Sequence, residues 1–146
     1  MQTIYDSMAR QNLLDRLNKL SAHSQPLWGK MNVSQMLHHL NRTMEAPLGK
    51  MPVTGKPNFM MRMFKGVLYN DKPFGKGSPT PKDFKVNDAY DFNQEQQKAV
   101  RNLEEVAKQG VNHRLKPHVF FGTLTSEQWG KHFYKHTDHH LRQFGK

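Results

Sequence analysis

The chain has 146 residues, of which 36% are hydrophobic, and a mean hydropathy of -0.85; this predicts one rather polar domain over residues 1–146. Lys and Arg outnumber Asp and Glu by 22 to 12, for a net charge of +10. No cysteine is present, which excludes disulfide bonds, thiolate metal ligands, cysteine nucleophiles and iron–sulfur clusters. No apolar stretch approaches the roughly 18 residues of a membrane span, so no membrane partner is expected. Without a signal-peptide core in its first residues, the chain is expected in the cytoplasm.

Apolar residues at helical spacing predict four amphipathic helices, and no segment alternates with the period of a strand. Asn32 and Thr125 are each followed three residues later by glutamine, which is the pattern of a helix-starting capping box. Four helices and one long connection favour an all-α four-helix bundle. The predicted helices run from Tyr5 to Leu20, from Asn32 to Pro47, from Phe92 to Gln109 and from Thr125 to Gln143.

The connection between the second and third helices is long and basic. Residues 49–85 contain eight Lys or Arg, two Asp and five Pro, so this segment carries +6 of the net charge. We expect an irregular connection with one short helix near Phe59–Leu68. Its charge has two interpretations, a site for the carboxylates of an anionic ligand or a solvated lysine-rich loop, and the second is favoured.

Two histidines lie in the middle of the apolar face predicted for the fourth helix. With 100° per residue, His136 and His140 fall within about 20° of Trp129 on the helical wheel. Buried imidazole nitrogens need a partner, and a metal ion satisfies two at once. His132 and His139 fall at the rim of the face and are weaker candidates. Because histidines at i, i+4 also occur on surfaces or as satisfied core residues, this pattern leaves both interpretations open.

The second helix has two adjacent histidines, His38 and His39, and the helical wheel hardly distinguishes them as candidates for a third ligand. His39 lies about 120° and His38 about 140° from the middle of the apolar stripe. Geometry therefore prefers His39 only slightly. Gln143, near the face of the fourth helix, is a candidate for orienting a ligating histidine.

Several blocks of the sequence resemble the DinB/YfiT-like superfamily of metal-dependent four-helix-bundle proteins, and within it a small subfamily of uncharacterised domains. The resemblance covers most of the chain, and its C-terminal block is the most specific. One departure is Val119, where similar sequences tend to have proline after the histidine of a His-x-Phe-Phe-Gly turn. The residues that carry the resemblance are Trp28 to Met31, Gln35 to Leu40, His118 to Gly122, Trp129, and His136 to Phe144.

The resemblance implies a DinB-type bundle with a three-histidine metal site. The superfamily places one ligand directly before a leucine on the second helix, which selects His39, and two in a His-x-x-x-His on the fourth, which selects His136 and His140. Three neutral imidazoles suit Zn²⁺ or Ni²⁺. Three protein ligands leave a coordination position open, as in catalytic sites.

The same resemblance implies a metal-dependent enzyme, a transferase or a hydrolase. Thiol-dependent S-transferases of the superfamily suggest a low-molecular-weight thiol and an electrophilic small molecule as partners. The alternatives are a non-enzymatic metal-binding or structural bundle and, prompted only by the charge, a nucleic-acid-binding protein. No helix-turn-helix, RNA-binding aromatic motif or zinc finger is present, so no specific nucleic acid is expected. The sequence leaves a homodimer open.

Overall fold

Helices form all of the regular structure in the computed structural model, which describes residues 2–57, 59–78, 80–112 and 114–146. Over these residues no β-strand is present, and the only bridge is an isolated one between His118 and Gly122. The expectation of an all-α fold is therefore confirmed. No helix of the described part is both long and apolar enough to cross a bilayer. The helices are α1 (Ser7–Asn18), α2 (Val33–Leu48), α3 (Phe59–Met63), α4 (Phe92–Val111) and α5 (Ser126–Gln143), with 3₁₀ turns at Lys65–Leu68 and Lys82–Phe84.

Two of the long helices begin at the predicted capping boxes. The Asn32 side chain accepts from the Gln35 amide, and the Gln35 side chain accepts from the Asn32 amide. Thr125 and Gln128 exchange the same pair of bonds before α5. These reciprocal bonds satisfy amides that a helix start leaves without an internal partner. The orientation of both histidine-bearing helices is thus set from their first turns.

Several predicted helix ends lie one or two residues elsewhere in the structure. α1 is shorter at both ends than the predicted Tyr5–Leu20, and it begins at Ser7 because the Asp6 carboxylate caps it by accepting from the Ala9 amide at 2.7 Å. α4 runs two residues past the predicted end at Gln109, to Val111. Pro47 does not end α2, which runs on to Leu48 and stops at Gly49, whose φ of 74° is left-handed. Glycine adopts this conformation without the steric cost that other residues meet.

The four long helices pack around one apolar core. The most extensive contact is between α2 and α4, while α5 contacts α1, α4 and α2. Phe133 and Leu141 of α5 and Met36, Leu37 and Leu40 of α2 are essentially inaccessible to solvent. Burial of such large apolar side chains is the main stabilising contribution to a fold of this kind. The same contacts hold α2 and α5 close enough for their histidines to meet.

The basic connection folds back over α2 and α5. Its Leu68, Phe84 and Val86 are buried. Arg42 of α2 donates to the Asp83 carbonyl at 2.6 and 2.9 Å. Lys135 of α5 donates to the Val67 carbonyl at 2.6 Å. The short helix expected near Phe59–Leu68 is present as α3 followed by a 3₁₀ turn. Seven of the eight basic side chains in residues 49–85 are exposed, and Lys65 is half-buried.

Candidate metal centre

Three histidine rings converge between α2 and α5. The ring centroid of His39 lies 5.2 Å from that of His136 and 4.9 Å from that of His140, and the last two are 4.8 Å apart. One ring nitrogen from each residue lies within 4.8 Å of the other two. The four-residue spacing on α5 produces this convergence, because residues i and i+4 are neighbours on a helix. The group contains no carboxylate.

Two of the three rings are held by hydrogen bonds at their outer nitrogen. Nδ1 of His39 lies 3.0 Å from the Phe84 carbonyl, which can only accept. Nδ1 of His140 lies 2.8 Å from Oε1 of Gln143, whose amide nitrogen donates to the Trp28 carbonyl at 2.8 Å. Nδ1 therefore carries the proton in both rings, and Nε2 keeps a lone pair.

The third ring contacts a hydroxyl group. Thr43 donates its hydroxyl proton to the Leu40 carbonyl at 2.8 Å, so its oxygen can accept from Nδ1 of His136 at 3.4 Å. In that tautomer Nε2 of His136 keeps a lone pair, 3.3 Å from Nε2 of His39. Two lone pairs at this distance need a cation between them, whereas the other tautomer of His136 places its own proton there.

One nitrogen–nitrogen distance in the group matches that of two ligands on the same divalent metal ion. Two nitrogens that each lie about 2.0–2.1 Å from one tetrahedral ion are separated by about 3.3–3.4 Å, and the Nε2 atoms of His39 and His136 are 3.3 Å apart. All three outer nitrogens have a partner that fixes the ring, as is usual for ligating histidines. A three-histidine group of this geometry could hold a metal ion.

Burial keeps the three imidazoles in the neutral form that binds metal. Desolvation lowers the pKa of His39, although the hydrogen bond to Phe84 opposes the shift. Burial, reinforced by the neighbouring imidazoles, lowers the pKa of His136 well below its ordinary value. It lowers the pKa of His140 to about 3, with a further contribution from His39. Metal ions compete with protons for these nitrogens, so neutral rings favour metal binding.

His38 lies outside the group. Its Nδ1 is 3.1 Å from Oε1 of Glu95, and its ring stacks on Tyr90 with 3.8 Å between centroids. The structure thus brings together His39, His136 and His140 and separates His38 from them. His139 is half-buried and packs edge-on against Trp28, 5.9 Å away.

Sequence reasoning underestimated the burial of His132. It was expected at the rim of the helical face, yet it is buried and stacks on His136 at 5.7 Å with 18° between ring planes. Its Nδ1 has no hydrogen-bond partner. His118 lies edge-on to it at 5.5 Å and accepts at Nδ1 from the Phe120 and Phe121 amides. The signal available in the sequence was the four-residue spacing of residues 132, 136 and 140.

A sequence profile of one protein family matches residues 3–146, and the family is described as "Protein of unknown function (DUF1569)". The chain belongs to this family. The DUF1569 match spans α1 to α5 and includes all three histidines of the group. No curated protein and no solved structure matches the chain significantly. The DUF1569 match does not link the chain to the DinB/YfiT-like superfamily, so that relationship stays a hypothesis.

Aromatic and basic side chains border the three-histidine group of this DUF1569 chain. Phe74, from the basic connection, lies edge-on to His136 at 6.1 Å, and the Lys135 ammonium lies 4.3 Å from the Phe74 ring centroid. The Lys76 ammonium lies 4.6 Å from the ring centroid of Trp28. Each pair has the geometry of a cation–π contact. The basic connection thus places one aromatic ring, that of Phe74, beside the three-histidine group.

Replacing Gln143 by leucine should weaken Zn²⁺ binding by about 10–100-fold, the usual effect of losing a partner that orients a ligand. Leucine cannot accept from Nδ1 of His140, so this ring would lose the contact that fixes its tautomer and rotation. A competition titration with a chromogenic chelator measures the affinity, and thermal unfolding without metal measures any loss of stability separately. An unchanged affinity in a folded variant would contradict this role.

Proposed function

We propose that this chain is a metal-dependent enzyme in which His39, His136 and His140 hold a divalent ion within a DinB-type four-helix bundle. The observation that carries the proposal is the convergence of three imidazole rings, with one nitrogen of each within 4.8 Å of the other two. Nδ1 of His39 and of His140 is bonded to an acceptor, which leaves Nε2 of these two rings unprotonated and in need of a partner. A shared cation is the simplest partner for all three.

The donor set favours Zn²⁺ or Ni²⁺ among the divalent ions. Imidazole is a borderline ligand that suits both, whereas Mg²⁺ and Ca²⁺ prefer oxygen. A closed structural zinc site has four protein ligands, and this group offers three. The remaining position would be available to a substrate, which favours a catalytic role.

The chemistry that fits this environment is thiol transfer. When bound, the ion would supply the Lewis acidity that lowers the pKa of a neighbouring thiol. His39, His136 and His140 would hold the ion, and the hydrogen bonds that His39 and His140 donate to the Phe84 carbonyl and to Oε1 of Gln143 would keep these two rings in the ligating tautomer. A low-molecular-weight thiol would lose its proton to solvent, and its sulfur would bond to an electrophilic small molecule as the leaving group departs with the electron pair.

The side chains around the site suit an anionic thiol. Phe74 would limit the access of water, and Lys76, an exposed cation above Trp28, is suited to a carboxylate of the thiol or substrate. The cytoplasm, where such thiols stay reduced, is the compartment that this function would require.

A conjugation assay tests this function. Protein purified without chelator or affinity tag is analysed for bound metals and then mixed with a panel of thiols and a chlorobimane. We expect a metal-dependent rate that chelation abolishes and that Zn²⁺ or Ni²⁺ restores. The His136→Ala variant should be inactive, and His139→Ala, which changes a histidine outside the group, should keep activity. Metal binding without any metal-dependent rate would instead assign the chain to non-enzymatic metal-binding bundles.

A further inference from the structure

A cluster of large apolar side chains lies exposed on α3 and the 3₁₀ turn that follows it. We name it the apolar face, and none of its members belongs to the three-histidine group. The exposed fractions are 66–78% for four of the five side chains and 45% for the fifth, so the side chains project from the surface. The apolar face consists of Phe59 (78%), Met60 (69%), Met63 (69%), Phe64 (66%) and Val67 (45%).

The 3₁₀ turn at one end of this face is held to the rest of the fold, and α3 packs on that turn. Leu68 is buried next to it and belongs to the apolar core. Lys135 of α5 donates to the Val67 carbonyl at 2.6 Å and to Oδ1 of Asn70 at 2.8 Å. The 3₁₀ turn contacts α5. An anchored segment that presents its apolar side outward differs from an ordinary surface helix, in which the polar side faces solvent.

The charge around the apolar face identifies the kind of partner that it fits. Residues 56–78 contain five basic residues and one acid, Asp71. Lys56, Arg62, Lys72 and Lys76 are exposed. A second copy would bring the same positive charge against itself, so self-association is disfavoured. An anionic partner would gain both apolar burial and charge attraction.

We propose that the apolar face binds the surface of a bilayer that contains anionic phospholipids. Side chains that project from the surface can enter the boundary between headgroups and acyl chains, whereas a peptide ligand would need a groove. The combination of Phe and Met with neighbouring Lys and Arg is typical of segments that lie in a membrane interface. This inference departs from the sequence-based expectation of no membrane partner, because that expectation considered spanning segments, and interfacial binding requires none.

Vesicle flotation with the full-length protein tests the proposal. We expect binding to phosphatidylcholine vesicles with roughly one third phosphatidylglycerol, and little binding to pure phosphatidylcholine. Binding should fall steeply when the salt is raised from about 0.1 M to 1 M. The double variant Phe59→Ser/Phe64→Ser should bind about tenfold or more weakly, since it loses two inserting side chains.

A matched control removes two exposed apolar side chains elsewhere. Met8 and Val111 are 82% and 57% exposed on α1 and α4, and Met8→Ser/Val111→Ser should bind like the unmodified chain. All four positions are exposed, so circular dichroism and the thermal midpoint should stay unchanged.

Absence of binding to anionic vesicles would overturn the proposal. Equal binding by the Phe59→Ser/Phe64→Ser variant would mean that net charge alone attracts the protein to the vesicles, and it would contradict a role for the apolar face. A dimer that dissociates in this variant, without vesicle binding, would assign the face to a second copy.

Discussion

His136→Ala and His140→Ala should each abolish tight binding of Zn²⁺ or Ni²⁺, with a loss that exceeds the roughly 100-fold expected for a contact that only orients a ligand. Each replacement removes one of three Nε2 donors and leaves two imidazoles, too few to hold an ion firmly at low concentration. His39→Ala should behave in the same way, since its Nε2 lies 3.3 Å from that of His136. Isothermal titration or chelator competition near neutral pH measures the loss.

The chain provides matched controls for this experiment. His38 is adjacent to His39 but bonds to Glu95 and stacks on Tyr90, and His139 is adjacent to His140 but lies outside the group. His38→Ala and His139→Ala should therefore retain metal affinity within a few-fold. Equal losses in the control variants, or metal binding that survives His136→Ala, would mean that the ion lies elsewhere.

The burial of one α5 face could be predicted from the sequence because it depends on local periodicity. Trp129, Phe133 and Phe144 are buried, and the wheel placed His136 and His140 on the same face. A helical wheel needs only the spacing of residues along one helix. The capping boxes at Asn32 and Thr125 were predictable for the same reason, since each involves residues only three positions apart.

The α2 side of the site was less predictable because a non-periodic segment completes it. His39 lies about 120° from the middle of the apolar stripe on the wheel, yet only 6% of it is exposed. Phe84, from the basic connection, covers this flank and supplies the carbonyl that binds Nδ1 of His39. Nothing in the spacing of residues 49–85 indicates where Phe84 will lie, so the second buried flank of α2 could not be inferred from its own pattern.

His132 was misplaced for a related reason. The wheel put it at the rim of the α5 face, where solvent would reach it. In the structure the His118 ring lies 5.5 Å from it on one side, and the 3₁₀ turn Lys65–Leu68 contacts α5. Both contacts come from segments distant in sequence, which the periodicity of α5 cannot reveal.

Acidification should destabilise the metal-free protein progressively below about pH 6.5, because several histidines are buried in the neutral form. Burial lowers the pKa of His118 to about 4 and of His132 and His140 to about 3, against about 6.5 in an unfolded chain. Between these values the unfolded chain binds protons that the folded protein does not. The free energy of unfolding therefore falls as the pH falls below about 6.5, and above that pH these groups contribute no dependence.

The expected loss of stability is comparable with the stability of an ordinary domain. Each such histidine lowers the free energy of unfolding by about 1.4 kcal/mol per pH unit, so three together contribute about 4 kcal/mol per unit. Over two pH units the loss is about 8 kcal/mol, against a typical stability of about 5–15 kcal/mol. Urea unfolding followed by circular dichroism at several pH values measures this slope.

Single substitutions distinguish the contribution of the buried histidines to this slope from the contribution of other groups that bind protons in acid. His132→Leu removes one proton-binding site from the unfolded chain and should reduce the slope by about 1.4 kcal/mol per pH unit. His23→Gln, at an exposed position, should leave the slope unchanged. Saturating Zn²⁺ should raise stability near neutral pH and make the acid transition steeper, because protons then displace the ion as well. If the free energy of unfolding stayed constant from neutral pH down to about pH 4, the buried imidazoles would bind protons in the folded protein as they do in the unfolded chain. That result would contradict the pH dependence argued from their burial.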